Sequence, residues 1–271
     1  MDRFHLKNII ILILVLVNGF LLASVAQRRS AEQDASRRTA EQLVALFEED
    51  GMALDARAIS SDTPPNGVTL SRDTAQEERA AAFLLGRPLS SSDQGGGIYH
   101  YTGAAGEAFF RVGGGFEASG ILAEENVEDF CRDFCRTFSC QAPDIRLDEN
   151  GVFSAVCLYD RLPVFNCSVT FTVEDGVLTA VSGTLLPKSG VESPGEEPLS
   201  AAGALVAFQQ MRRESAVVVS TVTDTRLCYE LQSGGAAMTL APVWRIVTDT
   251  EDYYVNAYTG AVGAGARTGE G

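Results

Sequence analysis

The chain has 271 residues, of which 45% are hydrophobic and 21% are charged, and its formal net charge at pH 7 is −15. This length and composition are ordinary for a folded protein with one large core or two small ones. The negative charge disfavours nucleic acid and anionic lipid headgroups as partners, and it is compatible with a basic partner or simply with solubility.

The first predicted element is a transmembrane anchor over residues 9–26, which follows a cytoplasmic N-terminus over residues 1–8. The segment IIILILVLVNGFLLASVA is apolar on all sides. At about 1.5 Å per residue it would span roughly the hydrocarbon core of a bilayer. We expect the anchor to stay uncleaved, because the run is longer than a usual signal-peptide core, although Ser24-Val25-Ala26 has the small residues that a signal peptidase reads.

Basic residues on both sides of the anchor leave two possible orientations. Two precede the segment and four follow it closely: Arg3, Lys7, Arg28, Arg29, Arg37 and Arg38. A count of positive charges would place the C-terminal part in the cytoplasm. The position of the segment near the start of the chain instead resembles an uncleaved signal, so we expect an extracytoplasmic C-terminal domain at the cell membrane.

The rest of the chain predicts a series of similar units. Residues 27–50 form a juxtamembrane helix that ends at Gly51, and residues 51–120 form a first α+β unit with a helix up to Leu85. This helix begins at a cap, Ser71 or Asp73, and a glycine-rich strand meander follows it.

A second α+β unit is predicted over residues 121–187. Its helix has apolar residues at offsets 0, 3, 4, 7, 8 and 11 from Val127, which is the spacing of a stripe that faces a core. A linker over residues 188–198, a C-terminal unit over residues 199–262 and a flexible tail over residues 263–271 complete the chain. The predicted fold class is α+β, with an N-terminal transmembrane helix followed by repeats of a helix on an antiparallel sheet.

The sequence has few residues suited to catalysis. The two histidines are His5, next to the apolar segment, and His100, within a predicted strand. No set of a nucleophile and a base can be assembled without His100, and no glycine-rich phosphate-binding loop precedes a helix. We therefore predict a protein that is not an enzyme, with no catalytic residue, no cofactor and no metal site.

The cysteines leave several alternatives open. Cys131, Cys135 and Cys140 are close in sequence, and we favour core packing for them over disulfide formation and over metal binding, because Cys131 and Cys135 lie within the apolar stripe and no fourth metal ligand is evident. Cys157 and Cys167 flank the turn at Asp160-Arg161-Leu162 and are predicted to face each other across a hairpin. An oxidising exterior would permit a disulfide between these two, whereas an anaerobic source would not favour one.

Several segments resemble the YycI family of membrane-anchored regulators, and the C-terminal part also resembles PepSY-like domains. The chain begins with Met1-Asp2, followed by a lysine and then at once by the apolar segment. The other matching segments are Leu162-Pro163-Val164-Phe165-Asn166, Val169-Thr170-Phe171, Asp175-Gly176, Leu240-Ala241-Pro242-Val243-Trp244-Arg245-Ile246 and Tyr253-Tyr254-Val255-Asn256-Ala257-Tyr258-Thr259-Gly260-Ala261-Val262. One departure is Arg3, where the family usually has tryptophan.

The resemblance implies a function in regulation by binding. It implies a membrane-anchored, extracytoplasmic protein that modulates a two-component sensor histidine kinase, with that kinase or a YycH-like membrane protein as its partner. The alternative implied by the PepSY-like part is an inhibitor or escort of a secreted protease. The motif residues Pro242, Trp244, Tyr254, Asn256 and Gly260 also have a structural interpretation, in which the aromatic rings fill the inner face of a sheet and the glycine closes a turn.

Overall fold

A computed structural model describes residues 37–141, 151–193, 197–215, 217–234 and 237–265, together with the single positions 18, 21, 27 and 35. The predicted anchor at residues 9–26 therefore lies almost entirely outside the described residues. Within the described ranges, no helix combines the length and apolar character that crossing a membrane requires.

Four α-helices are described. Their bounds are residues 37–49 for the described part of α1, Thr74–Leu85 for α2, Val127–Thr137 for α3 and Ala201–Ser215 for α4. Helix α2 begins where the carboxylate of Asp73 accepts a hydrogen bond from the backbone N–H of Gln76, and it ends at Gly86, whose φ of 75° suits glycine. Helix α3 carries the predicted apolar stripe, and its Cys131, Phe134 and Cys135 are buried.

Fourteen strands form one hydrogen-bonded sheet in the described part of the chain. The strands are β1 (Ala53–Leu54), β2 (Gly67–Leu70), β3 (Ser90–Asp93), β4 (Tyr99–Gly103), β5 (Gly106–Phe110), β6 (Gly115–Ala123), β7 (Val152–Tyr159), β8 (Leu162–Glu174), β9 (Val177–Thr184), β10 (Gly190–Ser193), β11 (Thr221–Gly234), β12 (Ala237–Thr248), β13 (Asp252–Asn256) and β14 (Val262–Gly265). A short 3₁₀ helix at Ala56–Ala58 follows β1.

The long antiparallel pair β11–β12 is the centre of this sheet. The outer edge of β12 is shared by two strands, since β2 pairs with its first part and β13 with its second part. Strand β11 runs parallel to β1 at one end and to β8 at Tyr229, which lies opposite Val164. From β8 the sheet continues through β9, β6, β5 and β4 to β3, and β7 pairs with β8.

Two hydrophobic cores form on this sheet, and the same two central strands contribute to both. The first core packs α2 and α3 on the β4–β9 region and includes Tyr229, Met238 and Leu240 of the central pair. The second core packs α1 and α4 on β11–β14 and is centred on Trp244 and Ile246. Helix α1 is thus part of the C-terminal half of the fold, although it lies far from that half in sequence.

The predicted fold class is wrong. Instead of a transmembrane helix followed by separate repeats of a helix on an antiparallel sheet, the described chain forms one mixed, strand-rich sheet with parallel pairs at β1–β11 and β8–β11. The physical reason is that local strands leave the outer edges of β11 and β12 open. The neighbouring strand β13 covers only Val243–Val247 of β12, so β2 pairs with Met238–Leu240, and the outer edge of β11 pairs with β1 and β8 from distant parts of the chain.

Candidate functional site

The C-terminal motif singled out in the sequence lies mostly inside the second core. Trp244 is fully buried between Leu227 of β11 and Val255 of β13, and its indole Nε1–H donates a hydrogen bond to the carbonyl oxygen of Leu199 at 2.8 Å. This bond satisfies the polar atom of the indole and ties the start of α4 to the sheet. Trp244 therefore has a structural position and is not presented to a partner.

The polar members of the motif build the turn between β13 and β14. The side-chain oxygen of Asn256 accepts hydrogen bonds from the backbone N–H groups of Tyr258 and Thr259, both at 3.0 Å. Gly260 has a φ of 69°, and its N–H donates to the carbonyl oxygen of Asn256 at 2.9 Å. Pro242 lies on β12, where its carbonyl oxygen accepts from the N–H of Ala257 at 2.9 Å.

Tyr254 faces the opposite side of the sheet from Trp244. Its ring stacks on that of Phe165 with 3.7 Å between centroids, and both pack with Cys228 and Val243. Burial raises the pKa of the Tyr254 phenol to about 12, so this group is neutral at physiological pH. The stack joins β8 to β13 across the sheet, which is again a structural role.

His100 lies on the surface of the β4–β5 pair. Its ring stacks on Phe109 with 4.3 Å between centroids, and its Nε2 is 2.9 Å from a carboxylate oxygen of Glu107. These contacts fix the orientation of the imidazole. Among the described residues, no group of three or more histidine, cysteine, aspartate or glutamate side chains is arranged to hold a metal ion.

The structure brings together cysteines that the sequence separates. All six are buried free thiols, and across the β7–β8 hairpin Cys157 lies opposite Val164 and not opposite Cys167. The residue paired with Cys157 on its other side is Cys140, in an isolated antiparallel bridge. The Cys140 thiol also interacts with that of Cys135 at the end of α3.

The surroundings of Cys131, Cys135 and Cys167 favour the protonated thiol. Burial raises the pKa of Cys131 and of Cys167 to about 12, and the pKa of Cys135 is raised by its hydrogen bond with Cys140 and by burial. Because only the thiolate is a strong nucleophile and metal ligand, these cysteines are poorly suited to nucleophilic catalysis.

A set of polar contacts joins the end of α1 to α4. Asp50, just after α1, accepts hydrogen bonds on its carboxylate from Gln209 and from Arg213 Nε, the latter at 2.8 Å. Its backbone oxygen accepts two further bonds from the guanidinium of Arg212, at 3.5 and 3.4 Å. We call these four residues, Asp50, Gln209, Arg212 and Arg213, the α1–α4 clamp. Sequence reasoning missed it because the partners are about 160 residues apart.

No protein-family model and no curated protein sequence matches this chain. The likeness to the YycI family therefore rests on the segments quoted above.

A cleft of about 390 Å³ lies at the start of α3. Its lining combines acidic side chains with the apolar residues Phe153 and Val173, and Asn126 at the helix start has a left-handed backbone conformation with a φ of 50°. The volume falls in the lower part of the range of small-molecule sites. The acidic residues at the cleft, Glu124, Glu128 and Asp129, lie in and just before the first turn of α3, where they also interact favourably with the helix dipole.

Proposed function

We propose that this chain is a regulatory binding protein at the outer face of the cell membrane, which modulates a two-component sensor histidine kinase by contact and has no catalytic activity. The observation that supports this proposal best is the packing of α1 into the core of the C-terminal half. The location rests on the sequence alone, through the apolar residues 9–26.

The buried face of α1 couples the N-terminal part of the chain to the central sheet. Leu43 and Phe47 are buried in the second core together with Leu205 and Phe208 of α4. Close-packed interiors resist local deformation, so a displacement of α1 is passed on to α4 and to the strands beneath it. Such coupling suits a protein whose C-terminal half responds to a signal and whose N-terminal part contacts the regulated partner.

The α1–α4 clamp adds a charged component to this coupling. Asp50 and Arg213 form an ion pair at 2.6 Å, and the Asp50 side chain is only 23% exposed. Partly buried, hydrogen-bonded ion pairs depend on geometry more than exposed ones do. A shift of α1 along α4 would therefore break directional contacts, which makes the clamp a suitable point of control.

The outer face of α1 remains free for a partner within the described structure. Gln42, Ala45 and Glu49 are exposed on the side away from Leu43 and Phe47. This surface is polar and adjoins the N-terminal segment in sequence. A kinase subunit or a YycH-like protein in the same membrane could approach it directly.

A photo-cross-linking amino acid at Ala45 tests the proposal. In cells that express the full chain, we expect it to capture a sensor histidine kinase or a YycH-like membrane protein, identified by mass spectrometry. The matched control carries the same cross-linker at Ser92, an exposed residue on the far edge strand β3. Capture of a secreted protease from Ala45 would instead support the inhibitor or escort function, and equal capture of the same protein from both positions would contradict a specific interface on α1.

A further inference from the structure

Cys140 and Cys157 lie directly opposite each other on two antiparallel segments. They pair in an isolated β-bridge, beyond the end of α3 on one side and within β7 on the other. The backbone hydrogen bonds lie on either side of the pair, from Gln141 N–H to Val156 O and from Leu158 N–H to Ser139 O, both at 2.7 Å. Cys140 and Cys157 are thus a non-hydrogen-bonded pair.

This type of pair has the closest Cα atoms in an antiparallel ladder, about 4.5 Å apart. A disulfide requires Cα atoms about 4.4–6.8 Å apart and side chains on the same face. Directly opposite residues of an antiparallel pair point to the same face. The thiols of Cys140 and Cys157 also interact, and the Cys157 thiol donates a hydrogen bond to the carbonyl oxygen of Thr184 at 3.2 Å.

We propose that Cys140 and Cys157 form a disulfide bond when the chain folds in an oxidising environment, and that the bond fastens the end of α3 to β7. The proposal does not depend on the regulatory function. The structure in which all cysteines are free thiols is then the reduced form of the protein.

The oxidant is a small-molecule disulfide such as oxidised glutathione. The thiolate of Cys140 attacks one sulfur atom of this disulfide, which forms a mixed disulfide and releases one thiol. The thiolate of Cys157 then attacks the Cys140 sulfur, which closes the protein disulfide and releases the second thiol. The two cysteines lose two electrons and two protons, and these reduce the small disulfide to two thiols.

Burial determines when this exchange can occur. Both thiols are buried, and although the interaction with Cys135 lowers the pKa of Cys140, the interaction with Cys157 and burial outweigh it and raise the pKa above its usual range. The Cys140 thiolate is therefore scarce in the folded protein, and both cysteines are shielded from a small disulfide, so exchange is slow there. We expect the bond to form during folding and, once formed, to resist small reductants.

Two competing pairs are less well placed. Cys135 interacts with Cys140, but the two residues lie at the end of α3 and just beyond it, without the opposed backbone of a strand pair. Cys167 is separated from Cys157 by an irregular stretch, because Val156 lies opposite Ser168 while the adjacent Cys157 lies opposite Val164. Residues 165–167 thus have no partner in β7, and Cys167 is displaced from the facing position.

Trypsin digestion provides a direct test, since cleavage after arginine and lysine puts each cysteine in its own peptide. The two relevant peptides span residues 137–146 with Cys140 and residues 147–161 with Cys157. The full-length chain is refolded with oxidised and reduced glutathione, its free thiols are alkylated, and the digest is analysed by mass spectrometry. We expect these two peptides to be joined by a disulfide and the Cys228 peptide to be fully alkylated.

Stability provides a second readout. The bond closes a loop with sixteen residues between its cysteines, residues 141–156. We expect oxidation to raise Tm by about 5–10 °C. The difference in Tm between the oxidised and the reduced protein should vanish in Cys157→Ser. It should persist in the matched control Cys228→Ser, because the wild-type Cys228 thiol contacts the Val243 carbonyl, away from this cluster. Cross-linking of Cys140 to Cys135, cross-linking of Cys157 to Cys167, or six alkylated thiols after oxidative refolding would each overturn the proposal.

Discussion

Replacement of Trp244 by alanine is expected to reduce the free energy of unfolding by about 3–5 kcal/mol. The indole is fully buried at the centre of the second core, and its Nε1–H donates to Leu199 O, so the substitution creates a cavity and leaves that carbonyl group without this donor. Because total stability is often only about 5–15 kcal/mol, the variant should be severely destabilised or unfolded. Urea unfolding followed by circular dichroism measures the effect.

A control substitution at an exposed site and the fluorescence of the wild-type protein together show whether Trp244 serves core packing or partner binding. Val206→Ala removes an apolar side chain that is 48% exposed on α4, and we expect a change below about 0.5 kcal/mol. In the wild-type protein, the emission of this single tryptophan should be blue-shifted and protected from iodide quenching. Red-shifted, quenchable emission and a Trp244→Ala variant of normal stability would show that the residue is exposed and serves another purpose.

Replacement of Phe134 by alanine is expected to have an effect of similar size in the first core, again about 3–5 kcal/mol. Phe134 is fully buried on α3, and its ring contacts those of four other phenylalanines, one each on α2, β6 and β8 and one just after α3. These rings belong to Phe83, Phe116, Phe138 and Phe171. Thermal or urea unfolding of the variant, with Ile121→Ala as an exposed control that is 60% accessible, measures the loss.

The same variant also tests whether the two cores unfold together. Tyr229 and Leu240 belong to the first core, while Leu227 and Trp244 on the same strands belong to the second. Because β11 and β12 supply both, we expect tryptophan fluorescence, which reports the second core, and circular dichroism, which reports the whole sheet, to show coincident transitions. An unshifted fluorescence transition in Phe134→Ala would contradict this coupling.

Local signals in the sequence predict individual elements well. Helix α2 is capped by Asp73, one of the two predicted caps, and ends at Leu85 as predicted, and α3 buries most of the stripe that its spacing predicts. Ser200, a residue type typical of helix caps, lies just before α4, and its side-chain oxygen accepts a hydrogen bond from the N–H of Gly203 at 3.3 Å. These features depend on residues within a few positions of each other, so a single sequence contains the information.

Pairing between distant segments could not be predicted in the same way. The alternation of apolar and polar residues along a strand shows which of its faces is buried. It does not show that β2 lies between β10 and β12, or that α1 packs with α4. The prediction that Cys157 faces Cys167 across the hairpin failed for a similar reason. The irregular stretch at residues 165–167 turns Asn166 toward β11, where its side chain exchanges two hydrogen bonds of 2.8 Å with the backbone of Leu231. A long-range contact thus overrides the simple hairpin.

In the proposed function, the chain regulates a partner through α1 and its attachment to α4. The clamp variant Asp50→Ala removes the bonds from Gln209 and Arg213 but leaves the apolar packing of α1 intact. The charge-matched control, Asp133→Ala, removes an exposed ion pair with Arg136 on α3. Neither substitution creates a cavity in a core, so both proteins should fold, with Asp50→Ala somewhat less stable because the buried amide of Gln209 loses its acceptor.

The most direct test measures the phosphorylated fraction of the response regulator in cells of the source organism. Deletion of the chain should change that fraction at least severalfold, and the wild-type chain and Asp133→Ala should restore it. Asp50→Ala, present at the same level, should restore it only in part. A phosphorylated fraction that is the same with and without the chain, for every response regulator examined, would contradict regulation of a sensor kinase, and full restoration by Asp50→Ala would contradict transmission through the α1–α4 clamp.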